Sequence, residues 1–132
     1  MLQAAIFHLD RWVRNGTPPA RAPRLEITPG PPPTINRDAH GYALGGIRTP
    51  LVDVPIATLR GDGNSDKGYC LFSGTTVPFD PVTLAAPYPT HARYVAEFQR
   101  ATESAVRAGF VLAPEAHNLE AAAAHSAVGN PG

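Results

Sequence analysis

Fifteen prolines among 132 residues, most of them between Pro18 and Pro89, restrict this chain more than any other feature. The usual share is about 5%, roughly half of what is found here. Each proline fixes φ near about −65° and removes a backbone donor, so long helices and central strands are closed to the proline-rich stretch. Regular structure is therefore pushed to the two ends. Three regions result: residues 1–16, a Pro/Gly-rich stretch over 17–80, and a helical segment over 81–132. The fold class expected is a mixed α+β chain, with an N-terminal helix, an irregular middle with short strands, and C-terminal helices.

Residues 2–14 read as an amphipathic helix. Leu2, Ile6, Leu9 and Val13 are spaced four, three and four apart, which places them on one face. Ala5 and Trp12 widen that stripe. Asn15-Gly16 stops the helix, and Pro18-Pro19 prevents its return. An apolar stripe of this kind needs a partner surface, and nothing nearby in the sequence supplies a sheet large enough to cover it.

In the middle region, residues 24–27 form a short expected strand, and Gly30-Pro-Pro-Pro33 favours a stiff, extended linker. Asp38-Ala-His-Gly41 reads as a turn, because Asp accepts local backbone bonds and Gly takes positive φ. Gly45-Gly46 signals a bend or a close backbone approach. Residues 55–59 are the best strand, 61–68 an exposed loop, and Tyr69-Cys-Leu-Phe72 a short apolar return in which Cys70 is expected to be buried and inert.

Asp80-Pro81 reads as a helix cap followed by proline at the first helical position. Thr90 caps a longer helix to about Ala108, with Tyr94, Val95, Phe98, Ala101, Ala105 and Val106 on its apolar face. Arg93/Glu97 and Glu103/Arg107, each four apart, lie on the other side. Gly109 ends it. Pro114 opens an alanine-rich helix to about Ser126, and the remaining tail is expected to fray.

Charge excludes some functions. Eleven basic and eleven acidic residues balance, so no field draws the chain to nucleic acid or to an anionic membrane. No apolar run approaches the roughly 18 residues of a membrane span, and no signal peptide is readable, so a cytoplasmic location is expected. The single cysteine excludes an internal disulfide framework. Five histidines form no His-Glu-x-x-His set, and no Cys-x-x-Cys pair exists, so neither a metal nor a cofactor is implied.

Four segments fall in an order that carries more information than any of them alone: LQAAIFHLDRWVRNGTPP at 2–19, DAHGYALGGIRTPLVDVP at 38–55, TTVPFD at 75–80 and YPTHARYV at 88–95. Together they resemble a large α/β hydrolase domain family in which the hydrolase core is followed by a C-terminal extension. The resemblance reaches to about Leu112. It implies that residues 2–14 correspond to the last core helix and that this chain is an α/β hydrolase-derived fragment, its serine, acid and histidine all lying upstream of Met1. The residues agree with that implication. No Gly-x-Ser-x-Gly elbow is present, Ser73 lacks the preceding glycine and following helix, and His8 sits inside a helix with no strand before it.

No catalytic residue is therefore assigned. Asp38, Arg48 and Asp53 are the candidate binding or loop-organising residues: Arg48 either meets an anionic group near the mouth of a site or pairs with Asp53 to hold an irregular loop. The stripe of Leu2, Ile6, Leu9 and Val13 is the expected partner-facing surface, toward a hydrolase core or another polypeptide. Two functional classes follow: the C-terminal segment of an ester-type serine hydrolase, inactive alone, or a non-enzymatic interaction module.

Overall fold

A computed structural model describes residues 1–61, 63–65 and 67–130, the side chain of Leu71 aside. Its elements run α1 (Leu2–Asn15), β1 (Ile27–Thr28), β2 (Thr34–Ile35), α2 (Pro50–Asp53), β3 (Ala57–Arg60), β4 (Thr75–Pro78), α3 (Pro81–Ala85), α4 (His91–Arg107) and α5 (Ala113–Ala124), with a 3-10 turn over Gly68–Phe72 before β4. The chain is mixed α+β, with helices at both ends and short strands between them.

The core is built around α4. The Thr90 side chain accepts from Arg93 N, satisfying one of the donors left open in the first turn. Tyr94, Phe98, Thr102 and Ala105 then recur three and four apart and are buried. Tyr94 and Phe98 pack with Val54, Tyr88 and Ala123, with Leu84 and Val128 against them; Ala105 packs with Val111 and Ala116. Thr102, absent from the apolar face read in the sequence, is fully buried because its hydroxyl donates to Phe98 O at 2.8 Å. No polar group is stranded there.

The middle region forms two antiparallel ribbons, β1 on β2 and β3 on β4. Residues 24–27 were expected to be extended, and the pairing falls later, at Ile27–Thr28 against Thr34–Ile35. Likewise β3 starts two residues after Pro55, which has no N–H to give to a ladder. At Gly45 (φ 79°) an added Cβ would collide with Arg24 O, so the close approach signalled by Gly45-Gly46 lies between this turn and the stretch before β1.

Three expectations need correction. Tyr69–Phe72 is a 3-10 turn with Tyr69 and Phe72 exposed, not an apolar return, and Cys70 is exposed rather than buried. The physical reason is local: the turn closes on its own backbone, Ser73 N donating to Cys70 O and Ser73 Oγ to Tyr69 O, which leaves its side chains outward. Asp62 and Asp66 of the loop expected over 61–68 lie outside the described residues, as do Pro131 and Gly132 of the tail. The described part of that tail does not fray. Val128 packs on the core, and the two ring nitrogens of His91 lie 2.8 and 3.1 Å from Val128 O and Ala124 O.

Helix α1 touches the rest along a narrow edge. Ala4 is buried, and His8 Nε2 meets Gly109 O at 2.9 Å, past the end of α4. Gly16 (φ 72°) closes the helix by donating to Trp12 O. The opposite stripe is open: Leu2, Ile6, Leu9 and Val13 are 75%, 59%, 55% and 79% exposed. The whole chain shows 9195 Å² to solvent, whereas a folded monomer of 13.9 kDa is expected to show roughly 6,700 Å².

Candidate functional site

Asp38, Arg48 and Asp53 border one groove of about 510 Å³, between the 38–55 stretch, α3 and α4. His40, Phe79, Thr83, Tyr88 and Glu97 are among the residues of its other walls. The groove exists because Asp38 organises the turn before it. One carboxylate oxygen, Oδ1, accepts from both His40 N and Tyr42 N at 2.9 Å, while the backbone closes through Asp38 N to Tyr42 O and Gly41 N to Asp38 O. This places the His40 ring against Phe79, with centroids 5.0 Å apart.

Arg48 Nε donates to Asp53 Oδ1 at 2.6 Å, and Nη1 reaches Ala43 O at 3.4 Å. The pair spans α2, a single turn begun by Thr49 and by proline in its first turn. α2 was not read from the sequence, although Thr49-Pro50 carries the same cap-then-proline signal as Asp80-Pro81. Glu97 pairs with Arg93 at 2.5 Å and Arg100 at 3.7 Å. Thr83 Oγ1 donates to Asp80 Oδ2, and these bonds with the Val82 and Thr83 amides hold the Asp80 carboxyl below its ordinary range. Of the charged side chains in the groove, Arg48 and Asp53 thus pair with each other, Asp38 is taken up by backbone amides, and Glu97 by two arginines outside the groove.

Tyr88 of the groove wall, and Tyr42 and Tyr94 nearby, are buried. Burial pushes the Tyr42 and Tyr94 hydroxyls up and that of Tyr88 to about 12. Tyr88 donates to Pro55 O at 3.2 Å and ties the helical segment to the middle region, while Tyr42 donates to Ala57 O at 2.6 Å and ties two parts of the middle region together. Tyr88 and Glu97 went unread as groove residues, because only the fold brings positions so far apart in sequence together, and His40 was read only as part of the Asp38 turn.

Among the described residues no serine or cysteine is paired with a histidine. Ser73 Oγ donates to Tyr69 O on an exposed turn, and Ser126 Oγ to Ala123 O. The ring nitrogens of His8, His91 and His125 face backbone carbonyls. Among the described residues no three His, Cys, Asp or Glu side chains are grouped so as to hold a metal ion, and no helix is long and apolar enough to cross a membrane.

The family model of the alpha/beta hydrolase domain matches residues 1–121, nearly the whole chain. The chain belongs to that family. No curated protein and no solved structure matches it. The match takes in α1, both ribbons, the groove and most of α5 of this hydrolase-family chain. Among the described residues no elbow serine, acid and histidine come together.

Proposed function

We propose that this chain is the C-terminal segment of an ester-type serine hydrolase: it contributes a last core helix, α1, and a wrapping extension, and it is inactive without the rest of the domain. The family match supports the hydrolase assignment. The observation that carries the reading is the unpartnered stripe of α1 in a chain that exposes about 2,500 Å² more than a self-contained monomer of its mass. An excess of that size matches one side of a large obligate interface. In the complete enzyme the chemistry would be acyl transfer through serine, histidine and acid, all supplied by the core. This segment would cover one edge of that core, with the Asp38–Arg48–Asp53 groove at its margin.

The experiment is to follow the chain in its own cells with an antibody against residues 1–132 and a fluorophosphonate probe, which labels activated serines. The expected result is that the antibody detects a longer, probe-labelled protein, or this chain bound to one. Recovery of the chain alone, as an unlabelled monomer with a sharp cooperative melt, overturns the proposal. The same α1 stripe also supports the alternative, a non-enzymatic module. Co-purification with a partner that the probe does not label decides for it.

A further inference from the structure

The stretch after α5 is laid across the start of α4. Two local turns shape it, Ser126 N donating to Ala123 O and Asn130 N to Ala127 O. Val128 packs against the core. At Gly129 the backbone comes so close that an added Cβ would stand 2.5 Å from Thr90 C and 2.6 Å from His91 N. Apolar contact contributes little to this docking, because Val128 is the only large apolar side chain between Ala124 and Asn130.

His91 supplies the rest. Its ring sits between the end of α5 and the tail, with Nδ1 2.8 Å from Val128 O and Nε2 3.1 Å from Ala124 O. A carbonyl oxygen can only accept, so each contact needs an N–H on the ring. Neutral imidazole has one N–H, and its other nitrogen would turn a lone pair toward a carbonyl. Only the doubly protonated ring satisfies both. Ala124 is the last residue of α5, so its carbonyl is among those a helix end leaves open, and a cation is favoured there. The start of α4 disfavours a cation by the same dipole argument, and two direct charge-assisted bonds outweigh it.

Few titratable or charged groups surround the ring. On α4, Tyr94 lies beside it with centroids 6.5 Å apart, and the Tyr94 hydroxyl meets Ser126 of the tail. Arg93 and Glu97 of the same helix pair with each other. Before α4, Tyr88 is committed to Pro55 O; at the end of α5, His125 Nδ1 faces Ala121 O. Among the described residues no carboxylate pairs with the His91 ring. We propose that His91 is a proton-operated latch: its doubly protonated ring holds the stretch after α5 on the start of α4, and loss of one proton releases it. Docking is tightest at acid pH and weakens as pH rises through the range in which a histidine discharges. Release uncovers the part of the core that Val128 covers. No residue of α1 takes part, so the latch stands apart from the proposed hydrolase role.

The test is NMR of the full chain between about pH 5 and pH 8. It follows the nitrogen shifts of the His91 ring and the exchange protection of the Ser126 and Asn130 amides, each relative to the unstructured rate at the same pH. Both ring nitrogens should carry a proton while these amides are protected. Protection should fall about tenfold or more as the ring discharges, the loss of one hydrogen bond to a charged group. This first measurement needs no variant. His91→Gln, which stays uncharged, should hold protection at the lower level at both ends of the range. His125→Ala, which removes the other histidine at this helix end, should leave the change intact. Phe98 ring shifts that match the unaltered chain show that each variant is folded. Equal protection across the range in the unaltered chain overturns the proposal, as does a neutral His91 ring with the tail still protected. A pH dependence that survives His91→Gln, or that vanishes in His125→Ala, overturns it as well.

Discussion

Arg48 and Asp53 show how little a well-formed ion pair need contribute to stability and how much it can still decide locally. Their side chains are 35% and 37% exposed, so solvent screening leaves a coupling of about 0.2–1 kcal/mol. A double-mutant cycle over Arg48→Met and Asp53→Asn should return a value in that range from thermal unfolding. A larger value would mean that the pair closes more than the α2 turn. Tyr88 carries a stronger dependence, on pH. Its hydroxyl is raised from 10.0 to about 12 by burial. The neutral form is favoured in the fold, so its contribution is complete below the unfolded value near 10 and is lost as pH rises through the folded value. Helical circular dichroism should therefore fall between about pH 10 and pH 12 together with the appearance of buried tyrosinate absorbance. Tyr88→Phe, which lacks the Pro55 bond but keeps the ring, should reduce this alkaline loss.

Helix caps are the elements most directly testable. Thr90→Ala removes the acceptor for Arg93 N and should cost about 1 kcal/mol, read as a lower thermal midpoint. Thr90→Ser, which keeps the oxygen, should restore most of it. The caps were also the most legible part of the sequence, because a Thr or Asp before a periodic apolar run acts through atoms within three residues of itself. Both Thr90 and Asp80 cap as their positions imply. The ribbons were less legible. Two-residue strands such as Ile27–Thr28 carry no alternation to read, and the stretch before them is held by backbone bonds to a segment about twenty residues away, Glu26 N to Leu44 O and Gly46 N to Pro23 O. The groove was legible as three residues, Asp38, Arg48 and Asp53, and not as a place. Tyr88 and Glu97 join it only once α4 has packed on α2.

At the scale of the whole molecule, the burial pattern separates a chain that is folded from one that is finished. Helix α1 is held by Ala4, by His8 on Gly109 O and by the Met1 ammonium on Glu115, all along one edge, while its four regularly spaced large apolar residues face water. Exposure of that kind is ordinary for single side chains and unusual for a continuous stripe. Leu9→Asp therefore separates two kinds of chain. If the stripe is a cover for an absent surface, the substitution should leave the melting of the isolated chain within about 0.5 kcal/mol of its starting value, as exposed substitutions do. The same change should abolish co-purification with the hydrolase core, because a carboxylate buried there has no partner. His8→Ala should do the reverse: it loosens α1 from the α4–α5 junction in the isolated chain, and the core, which grips the other face, should still retain it. Size-exclusion chromatography of the pair with each variant, beside hydrogen exchange of the α1 amides in the isolated chain, reads both effects. Loss of α1 protection in Leu9→Asp would show that the stripe already packs within this chain and that no outside surface is needed.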